Sequence, residues 1–402
     1  MTESTPSTGT KVVVVGAGVM GAWTALLARR AGHRTTLVDA YGAGSSRATS
    51  GDETRIIRSS HGADPFYSRW SRVAREAWIE LGRSRGEQIF VPAGALWFAR
   101  DDSGFEAASE ATLRGLGIPV ERLSPDEVRA RWPQLTSDDL AFAVFEPEAG
   151  LLMARLGVAS VARQFVVEGG RFELGLANVG RQDGRRLVDI VMGDGYRHAA
   201  DQFVFAAGPW LPRLFPDVAG DLIRVTKQDV VFFGPPAGDG RFGADRMPCW
   251  VDYAAAFYGI PATDGRGMKL GPDRYGPIFD PSHGERIVDP ESVRLARRYV
   301  AKRFPDLAEA PVVETRVCQY ETTPDTHFII DRHPAFDNVW LVGGGSGHGF
   351  KHGPAIGRHV VGRLSGAALE PGEERFGLDH ARSPQANMRT GADGMIAGWS
   401  DW

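Results

Sequence analysis

Cysteine is scarce in this chain, which has only Cys249 and Cys318 among its 402 residues. Two cysteines cannot form the disulfide framework of a small secreted protein, and a reducing cytoplasm is their natural setting. Positive charge is not in excess either, since the formal net charge is −4. A nucleic-acid partner is therefore not expected, because such proteins carry a basic field.

Long apolar runs are also missing, and none approaches the roughly 20 residues that a membrane-spanning helix needs. The start, MTESTPSTGT, lacks the apolar core of a secretion signal. We therefore expect a cytoplasmic protein without a membrane partner. Glycine, by contrast, is abundant at 50 residues, which indicates tight turns and close approach of backbone to a ligand. The length predicts two or three domain-sized units.

The segment KVVVVGAGVMGAWTALLARRAGHRTTLVDA predicts a strand, a turn, a helix and a second strand. Gly16, Gly18 and Gly21 form G-x-G-x-x-G after a β-branched run. In this pattern the glycines permit the tight turn, the approach of backbone N–H groups to a pyrophosphate, and close helix–strand packing. Asp39, at the end of the second strand, can accept hydrogen bonds from ribose hydroxyls. The motif predicts a dinucleotide site without separating FAD from NAD; a Gly-rich turn that binds nothing is the alternative.

The rest of the chain indicates an interleaved α/β fold. VWLVGGGSGHGFKHG again runs from a strand into a Gly-rich turn before a helix, and AAFYGIPATDGRGMKLG predicts two strands joined at Asp264-Gly265. A Rossmann-like domain is predicted to alternate with a second, largely antiparallel β-sheet domain. The Rossmann-like domain takes residues 1–90, 150–225 and 318–385, the second domain takes 91–149 and 226–317, and a tail takes 386–402.

Arg55 and Arg58 stand three residues apart in the run RIIR. This spacing can put both on one helical face, or aim both at a cavity from an irregular turn. Two fixed cations there would meet an anionic substrate or a flavin edge. Two surface arginines are the alternative.

Five segments together resemble the flavin amine oxidases of the monomeric sarcosine oxidase and N-methyltryptophan oxidase family, within the D-amino acid oxidase superfamily. They are VVVVGAGVMG, ETRIIR, GMKLG, CQYETTPDTHFIID and GGSGHGFKHGPAIG. The resemblance covers most of residues 11–370. It implies an FAD-binding Rossmann-like domain, a substrate domain with the largely antiparallel sheet, an amine and dioxygen as the small-molecule partners, and a monomer.

The resemblance also implies roles for Cys318 and Lys269. Cys318 occupies the position of the cysteine that is bonded through sulfur to the flavin 8α-methyl carbon. Its alternative is a small buried hydrophobe, which is what we expect of Cys249. Lys269 matches the lysine over the flavin face, where its charge stabilises the reduction of oxygen; a surface lysine is the alternative.

Arg58 and Lys351 match the cations that bind the substrate carboxylate and so orient the amine toward flavin N5. Arg55 matches the arginine near the flavin ring. Tyr258 and Tyr320 match cavity residues, although simple packing explains either one as well.

The second Gly-rich turn contains Gly347, His348 and Gly349, whose backbone N–H groups are expected to meet the flavin edge, with Lys351 close behind. His348 is not interpreted as a metal ligand, because the sequence offers it no acid or histidine at the spacing of a metal site. No metal is predicted.

Two positions depart from the family pattern. Sarcosine oxidases carry a histidine just before G-D-T-R, where Gly51 stands here, and another four residues after the lysine of GMKLG, where Asp273 stands. Both departures argue against sarcosine as the substrate. With an aspartate at the second position, the pattern resembles that of family members that oxidise cyclic imino acids. A partly buried carboxylate there can accept or orient a substrate N–H proton. A solvated loop acid beside Pro272 is the alternative.

The sequence therefore predicts an FAD-dependent oxidase of a secondary or cyclic amine that bears a carboxylate. The products are an imine and hydrogen peroxide. One alternative is a dehydrogenase that passes electrons to an acceptor other than oxygen, against which Lys269 argues. Another is a catalytically silent nucleotide-binding protein, against which Cys318 and Lys351 argue as well.

Overall fold

The computed structural model describes residues 9–387 and 389, and the chain divides into two compact units. The first unit comprises the described residues of Met1–Glu53, Ala154–Val225 and Tyr320–Trp402, and the second unit comprises Thr54–Met153 and Thr226–Gln319. Of the predicted tail, 386–402, all but residues 386, 387 and 389 lies outside the described residues.

The strands are β1 Lys11–Val15, β2 Arg34–Asp39, β3 Thr54–Ile57, β4 Phe90–Val91, β5 Ala95–Ala99, β6 Glu121–Leu123, β7 Phe142–Glu146, β8 Gly150–Met153, β9 Arg171–Leu174, β10 Ala177–Val179, β11 Gln182–Asp183, β12 Arg186–Leu187, β13 Asp189–Met192, β14 Arg197–Ala199, β15 Gln202–Phe205, β16 Arg224–Phe233, β17 Cys249–Asp252, β18 Phe257–Ile260, β19 Met268–Pro272, β20 Val312–Thr322, β21 Ile329–Arg332 and β22 Val339–Gly343. The helices are α1 Val19–Arg30, α2 Pro65–Arg85, α3 Gly104–Gly115, α4 Pro125–Arg131, α5 Ala154–Val167, α6 Leu211–Leu214, α7 Pro216–Ala219, α8 Pro290–Arg303, α9 Gly353–Leu364 and α10 Leu378–Arg382.

The main sheet of the first unit has six strands in the order β21-β22-β15-β1-β2-β9. All neighbours are parallel except β21 and β22. β1 pairs with β2 on one side and with the distant β15 on the other, and its valines from Val12 to Val15 are buried. Continuous burial is typical of a parallel strand covered on both faces. The Rossmann-like part of the predicted fold is confirmed.

The main sheet of the second unit has eight strands in the order β20-β16-β19-β18-β17-β5-β7-β6. It is largely antiparallel, as predicted, although β17 and β5 run parallel. The predicted turn joins β18 to β19, and both Asp264 and Gly265 adopt positive φ, 54° and 71°. A tight hairpin requires this left-handed backbone, which aspartate tolerates and glycine favours.

Helix ends follow local side-chain chemistry. The Asp64 side chain accepts a hydrogen bond from Phe66 N at the start of α2, and Gly86 ends that helix in the left-handed conformation. Ser124 and Glu127 form a capping box at the start of α4. Among the described residues, every helix is too short or too polar to span a lipid bilayer.

The sequence predicts residues 54–90 in the Rossmann-like domain, but they lie in the second unit. The physical reason is β3, which pairs antiparallel with β8 from Thr54↔Met153 to Ile57↔Gly150. Because this pairing involves residues about a hundred positions apart, the local pattern of the segment does not reveal it.

Candidate functional site

The first Gly-rich turn follows β1, and two of its glycines are required by packing. Gly16 has a φ of +105°, and a Cβ there would lie 2.3 Å from the Ala206 carbonyl oxygen. A Cβ on Gly21 would lie 1.8 Å from the carbonyl oxygen of Gly16. Helix α1 therefore packs directly on the turn, as the dinucleotide pattern predicts.

Gly18 is different, because a Cβ there would meet only the Ser50 hydroxyl oxygen, at 3.4 Å. Packing within the protein therefore does not require this glycine. The open space above the turn fits the close approach of a pyrophosphate to backbone N–H groups. Ser50, which the sequence reasoning missed, accepts a hydrogen bond from Val19 N at 3.0 Å and so supports the start of α1.

Asp39 lies at the end of β2, beside this turn. Its carboxylate accepts hydrogen bonds from Ala17 N at 2.7 Å, Tyr41 N at 2.7 Å and Gly42 N at 2.8 Å. These bonds fix the turn against the end of the strand. A carboxylate has about four acceptor positions, so a bond from a ribose hydroxyl stays a prediction that the geometry allows.

The second Gly-rich turn follows β22 in the same unit. Gly347 has a φ of +73°, and a Cβ there would lie 3.0 Å from the Tyr320 ring. A Cβ on Gly349 would lie 2.9 Å from the Gly345 Cα. Packing within the protein thus requires both glycines, Gly347 against the Tyr320 ring and Gly349 against the turn itself, so their presence alone does not demonstrate a ligand.

His348 and Lys351 are both buried beside this turn. His348 Nε2 lies 2.9 Å from the Thr326 carbonyl oxygen; a carbonyl only accepts, so Nε2 carries the proton. Burial lowers the pKa of His348 well below its ordinary value, which keeps the ring neutral. Lys351 Nζ donates to the His348 carbonyl at 3.1 Å. The Lys351 side chain is therefore buried, only 3% exposed.

In the second unit, three of the predicted residues meet around one backbone carbonyl, that of Thr54. Lys269 Nζ donates to it at 2.9 Å, and the Arg55 guanidinium donates to it at 2.8 Å. A second guanidinium nitrogen of Arg55 lies 3.5 Å from Cys318 Sγ. We call this group the Thr54 cluster: Thr54, Arg55, Lys269 and Cys318.

Burial tests two expectations from the sequence, one for Lys269 and one for the two cysteines. Lys269 is 1% exposed, so the surface-lysine alternative is wrong. Cys318 is half-buried, whereas Cys249 is fully buried. Burial raises the pKa of the Cys249 thiol, which leaves it an inert packing residue, as expected.

Arg58 follows β3 and lies with its guanidinium carbon 4.9 Å from the centroid of the Trp97 ring. It also donates to the Ser60 carbonyl. Arg55 and Arg58 are both half-buried, so neither is a fully exposed surface arginine.

Glu146 supports the Arg58 loop, and the sequence reasoning missed it. Its carboxylate accepts from Ser59 N at 2.6 Å, Ser60 N at 3.2 Å and Trp97 Nε1 at 3.0 Å. Strand periodicity could have revealed it, because Glu146 follows Phe142 and Val144 at every second position, and both are buried.

Tyr258 and Asp273 lie at the same end of one antiparallel strand pair, β18 and β19, where Tyr258 is opposite Gly271 and Phe257 is opposite Pro272. Tyr258 is partly buried, and a Cβ on Gly271 would lie 3.1 Å from its hydroxyl. Asp273 is exposed, and its backbone N–H donates to the Ala256 carbonyl at 2.7 Å. The partial burial expected for an acid that handles a substrate proton is absent at Asp273.

Comparison with known proteins agrees with this geometry. The chain is 30% identical over 367 residues to monomeric sarcosine oxidase from Streptomyces avermitilis, covering 90% of this chain and 95% of that protein. It is 28% identical over 355 residues to N-methyl-L-tryptophan oxidase from Yersinia pestis, covering 86% and 92%. The fold is that of L-proline dehydrogenase from P. horikoshii, with a TM-score of 0.81 at 20% identity over 93% of this chain and 98% of that chain.

These relatives confirm the resemblance predicted from the sequence. Residues 11–363, which include both Gly-rich turns and the Thr54 cluster, match the family described as FAD dependent oxidoreductase. The chain belongs to this family of FAD dependent oxidoreductases.

Proposed function

We propose that the protein oxidises a secondary or cyclic amine bearing a carboxylate, an N-methyl or cyclic imino acid, to an imine with release of hydrogen peroxide. FAD, the cofactor of the family, would supply the redox chemistry of a two-electron oxidation of the amine, with dioxygen as the final acceptor. Sarcosine and N-methyl-L-tryptophan, which name the two relatives, are both secondary amines with a carboxylate. The two residues that depart from the sarcosine oxidase pattern argue for another member of this substrate class.

The Thr54 cluster is the observation that carries the proposal. Arg55, Lys269 and Cys318 come from three distant parts of the sequence, yet two cations share one carbonyl and one of them reaches the sulfur. All three match family residues assigned to the flavin ring. Such convergence supports an oxidase more strongly than the dinucleotide motif, which other nucleotide-binding proteins share.

Lys269 provides the charge that an oxidase needs. An ammonium group excluded from water acts through a low local dielectric, so it stabilises developing negative charge more strongly than a surface lysine would. We propose that this charge favours the reduction of oxygen. In the alternative, a dehydrogenase, a buried ammonium at this place has no evident purpose.

Cys318 is the proposed point of covalent attachment of FAD. Its sulfur is half-buried and lies 3.5 Å from a guanidinium nitrogen of Arg55, a residue that the resemblance also places at the flavin ring. Acid denaturation of the purified protein should leave the yellow colour in the pellet, and Cys318→Ser should release it into the supernatant. Cys249→Ser is the matched control and should retain the colour. If the yellow colour of the unsubstituted protein is released into the supernatant after acid denaturation, covalent attachment of FAD is refuted.

Arg58 is the proposed anchor of the substrate carboxylate, together with Lys351, the second cation assigned by the resemblance. The Trp97 ring and the Glu146-bound loop hold the guanidinium in place, and a planar fork suits bidentate binding of a carboxylate. Lysine retains the charge but not the fork. We expect Arg58→Lys to raise KM at least tenfold for an amino acid substrate. The KM for the matching amine without a carboxylate should change little.

Two further residues stay proposals of the same kind. Tyr258 is proposed to contact the substrate, so Tyr258→Phe should change KM across the substrate series. Asp273 is proposed to orient the substrate N–H, and Asp273→Asn tests this through the pH profile of kcat/KM. An unchanged profile identifies Asp273 as a solvated loop acid.

The decisive experiment is a peroxide-coupled screen of N-methyl amino acids, D-amino acids, and proline and pipecolate analogues. Peroxide production from a secondary or cyclic amino acid is the expected result. Anaerobic reduction by an active substrate, followed by air, separates the alternatives, because slow reoxidation favours the dehydrogenase. We also propose a cytoplasmic monomer, and light scattering of the purified protein tests the monomer.

A further inference from the structure

Glu321, near the end of β20, carries a buried carboxyl group that the proposed reaction does not use. The side chain is 5% exposed. Its Oε2 atom is buried and has no hydrogen-bond partner among the residues that the structure describes. Native proteins pair nearly all such atoms, because a buried oxygen without a partner has lost its water and gained nothing. An unpaired buried oxygen of this kind points to a partner other than the described residues, such as a bound ligand.

Glycines of two turns approach this carboxyl closely, and a side chain at either position would crowd it. A Cβ on Gly208, whose φ is +52°, would lie 2.8 Å from Oε2, and a Cβ on Gly345 would lie 3.1 Å from Oε1. The Gly345 position also lies 3.5 Å from the end of the Met20 side chain, in the first turn of α1. Glu321 thus lies where three turns of the first unit come together.

These turns follow the carboxyl ends of β1, β15 and β22, which are neighbours in the sheet. From β1 the chain proceeds to β2 on one side, and later to β15 and β22 on the other, so the strand order reverses beside β1. Open α/β sheets bind ligands outside the carboxyl ends of their strands at this point of reversal. In this family the ligand expected there is the dinucleotide.

The buried environment of Glu321 determines whether its carboxyl group is protonated. Burial raises the pKa of Glu321 to about 7, against the opposing effect of the Gly345 N–H. A neutral carboxyl donates a hydrogen bond through its O–H, whereas an ionised one only accepts. Next to an anionic pyrophosphate, the neutral form avoids the repulsion between like charges.

We propose that Glu321 is a cofactor-binding residue whose protonated carboxyl donates a hydrogen bond from Oε2 to an oxygen of the phosphate or ribityl chain of FAD. The inference depends on the cofactor of the family and not on the amine substrate. It therefore stands or falls separately from the proposed oxidase activity.

The test measures reversible FAD binding in a Cys318→Ala background, where no thioether can form whether or not the native protein has one. Glu321→Leu should raise the Kd for FAD about tenfold, equivalent to roughly 1.4 kcal/mol. Glu321→Gln keeps a donor of similar shape, so its Kd should stay within about threefold of the parent. Glu373→Gln, which changes an acid bonded to His359 in the same unit, is the control and should bind as the parent does.

Riboflavin and FMN distinguish the two oxygen sources. If the leucine variant loses affinity for riboflavin too, the partner is a ribityl oxygen; if it loses affinity only for phosphorylated flavins, the partner is a phosphate oxygen. Equal FAD affinity of the parent and the leucine variant overturns the proposal.

Should Glu321→Leu fail to fold, infrared spectroscopy of the parent and the glutamine variant decides. A protonated-carboxyl band that shifts when FAD binds, and disappears in Glu321→Gln, supports the proposal. A spectrum without that band overturns it.

Discussion

Replacing Lys269 by methionine should separate its effect on stability from its effect on chemistry. Methionine has nearly the volume of lysine and fills the same buried space without the charge. The Thr54 carbonyl would still accept a hydrogen bond from Arg55, at 2.8 Å. The substitution therefore fills the buried space and does not leave the Thr54 carbonyl unpaired.

The magnitudes follow from this environment. Burying an ammonium group costs several kcal/mol, and its hydrogen bond to a carbonyl returns about 1.5–3 kcal/mol. Lys269→Met should therefore leave the free energy of unfolding unchanged or raise it by up to roughly 3 kcal/mol. Losing a preorganised charge at a reacting centre costs roughly 10²–10³ in rate, so the rate constant for reoxidation by dioxygen should fall by that factor.

The assay is photoreduction of the flavin without air, followed by rapid mixing with aerated buffer and measurement of the returning absorbance. Photoreduction makes the result independent of the substrate. Lys302→Met removes a lysine of α8 whose side chain is 65% exposed, and this control should reoxidise as the native protein does. Reoxidation of Lys269→Met at the native rate would refute the role of the charge, and a loss of stability above about 2 kcal/mol would refute the account of its burial.

The remaining predictions concern the first unit. Gly21→Ala places a methyl group against the Gly16 carbonyl, at 1.8 Å before relaxation, so it should lower the stability of the FAD-free protein by about 1–3 kcal/mol or more. Gly18→Ala, the matched variant, should keep the melting temperature of the FAD-free parent but bind less FAD. Equal melting temperatures for both would contradict the packing account. Burial lowers the pKa of His327 to about 3. Below about pH 6.5 this histidine therefore binds a proton in the unfolded chain but stays neutral in the folded protein. Stability should therefore decrease as the pH is lowered from about 6.5 toward 3, by about 2 kcal/mol at pH 5 from this residue. His327→Gln should reduce the decrease in melting temperature between pH 7.5 and pH 5. An unchanged decrease in melting temperature would exclude His327 as its source.

Features encoded within short segments could be predicted from the sequence. The turn between β1 and α1 needs glycines at fixed spacing, the hairpin at Asp264 and Gly265 needs left-handed backbone, and the cap at Ser124 needs an acid three residues later. Each depends on neighbours within a few positions. The interleaved fold followed, because two strand–turn–helix patterns enclose the antiparallel segments.

Features that depend on distant partners could not be predicted. The Thr54 cluster forms through a backbone carbonyl, which no residue type marks, and its hydrogen bond from Lys269 spans 215 positions. The placement of residues 54–90 depends on the pairing of β3 with β8. The role of Glu146 depends on the loop that it supports, although its burial could be read from the strand pattern.

The Thr54 carbonyl, which Arg55 and Lys269 share, determines how substitutions can affect the two cations. Side-chain substitution cannot delete the Thr54 oxygen, and both cations are fixed to it. Arg55 pairs with Leu152 across the β3–β8 ladder, so a substitution that shifts this ladder moves the two positive charges together. The proposed covalent attachment of FAD and the proposed reaction with oxygen should then decline in parallel, even when every residue of the cluster is intact.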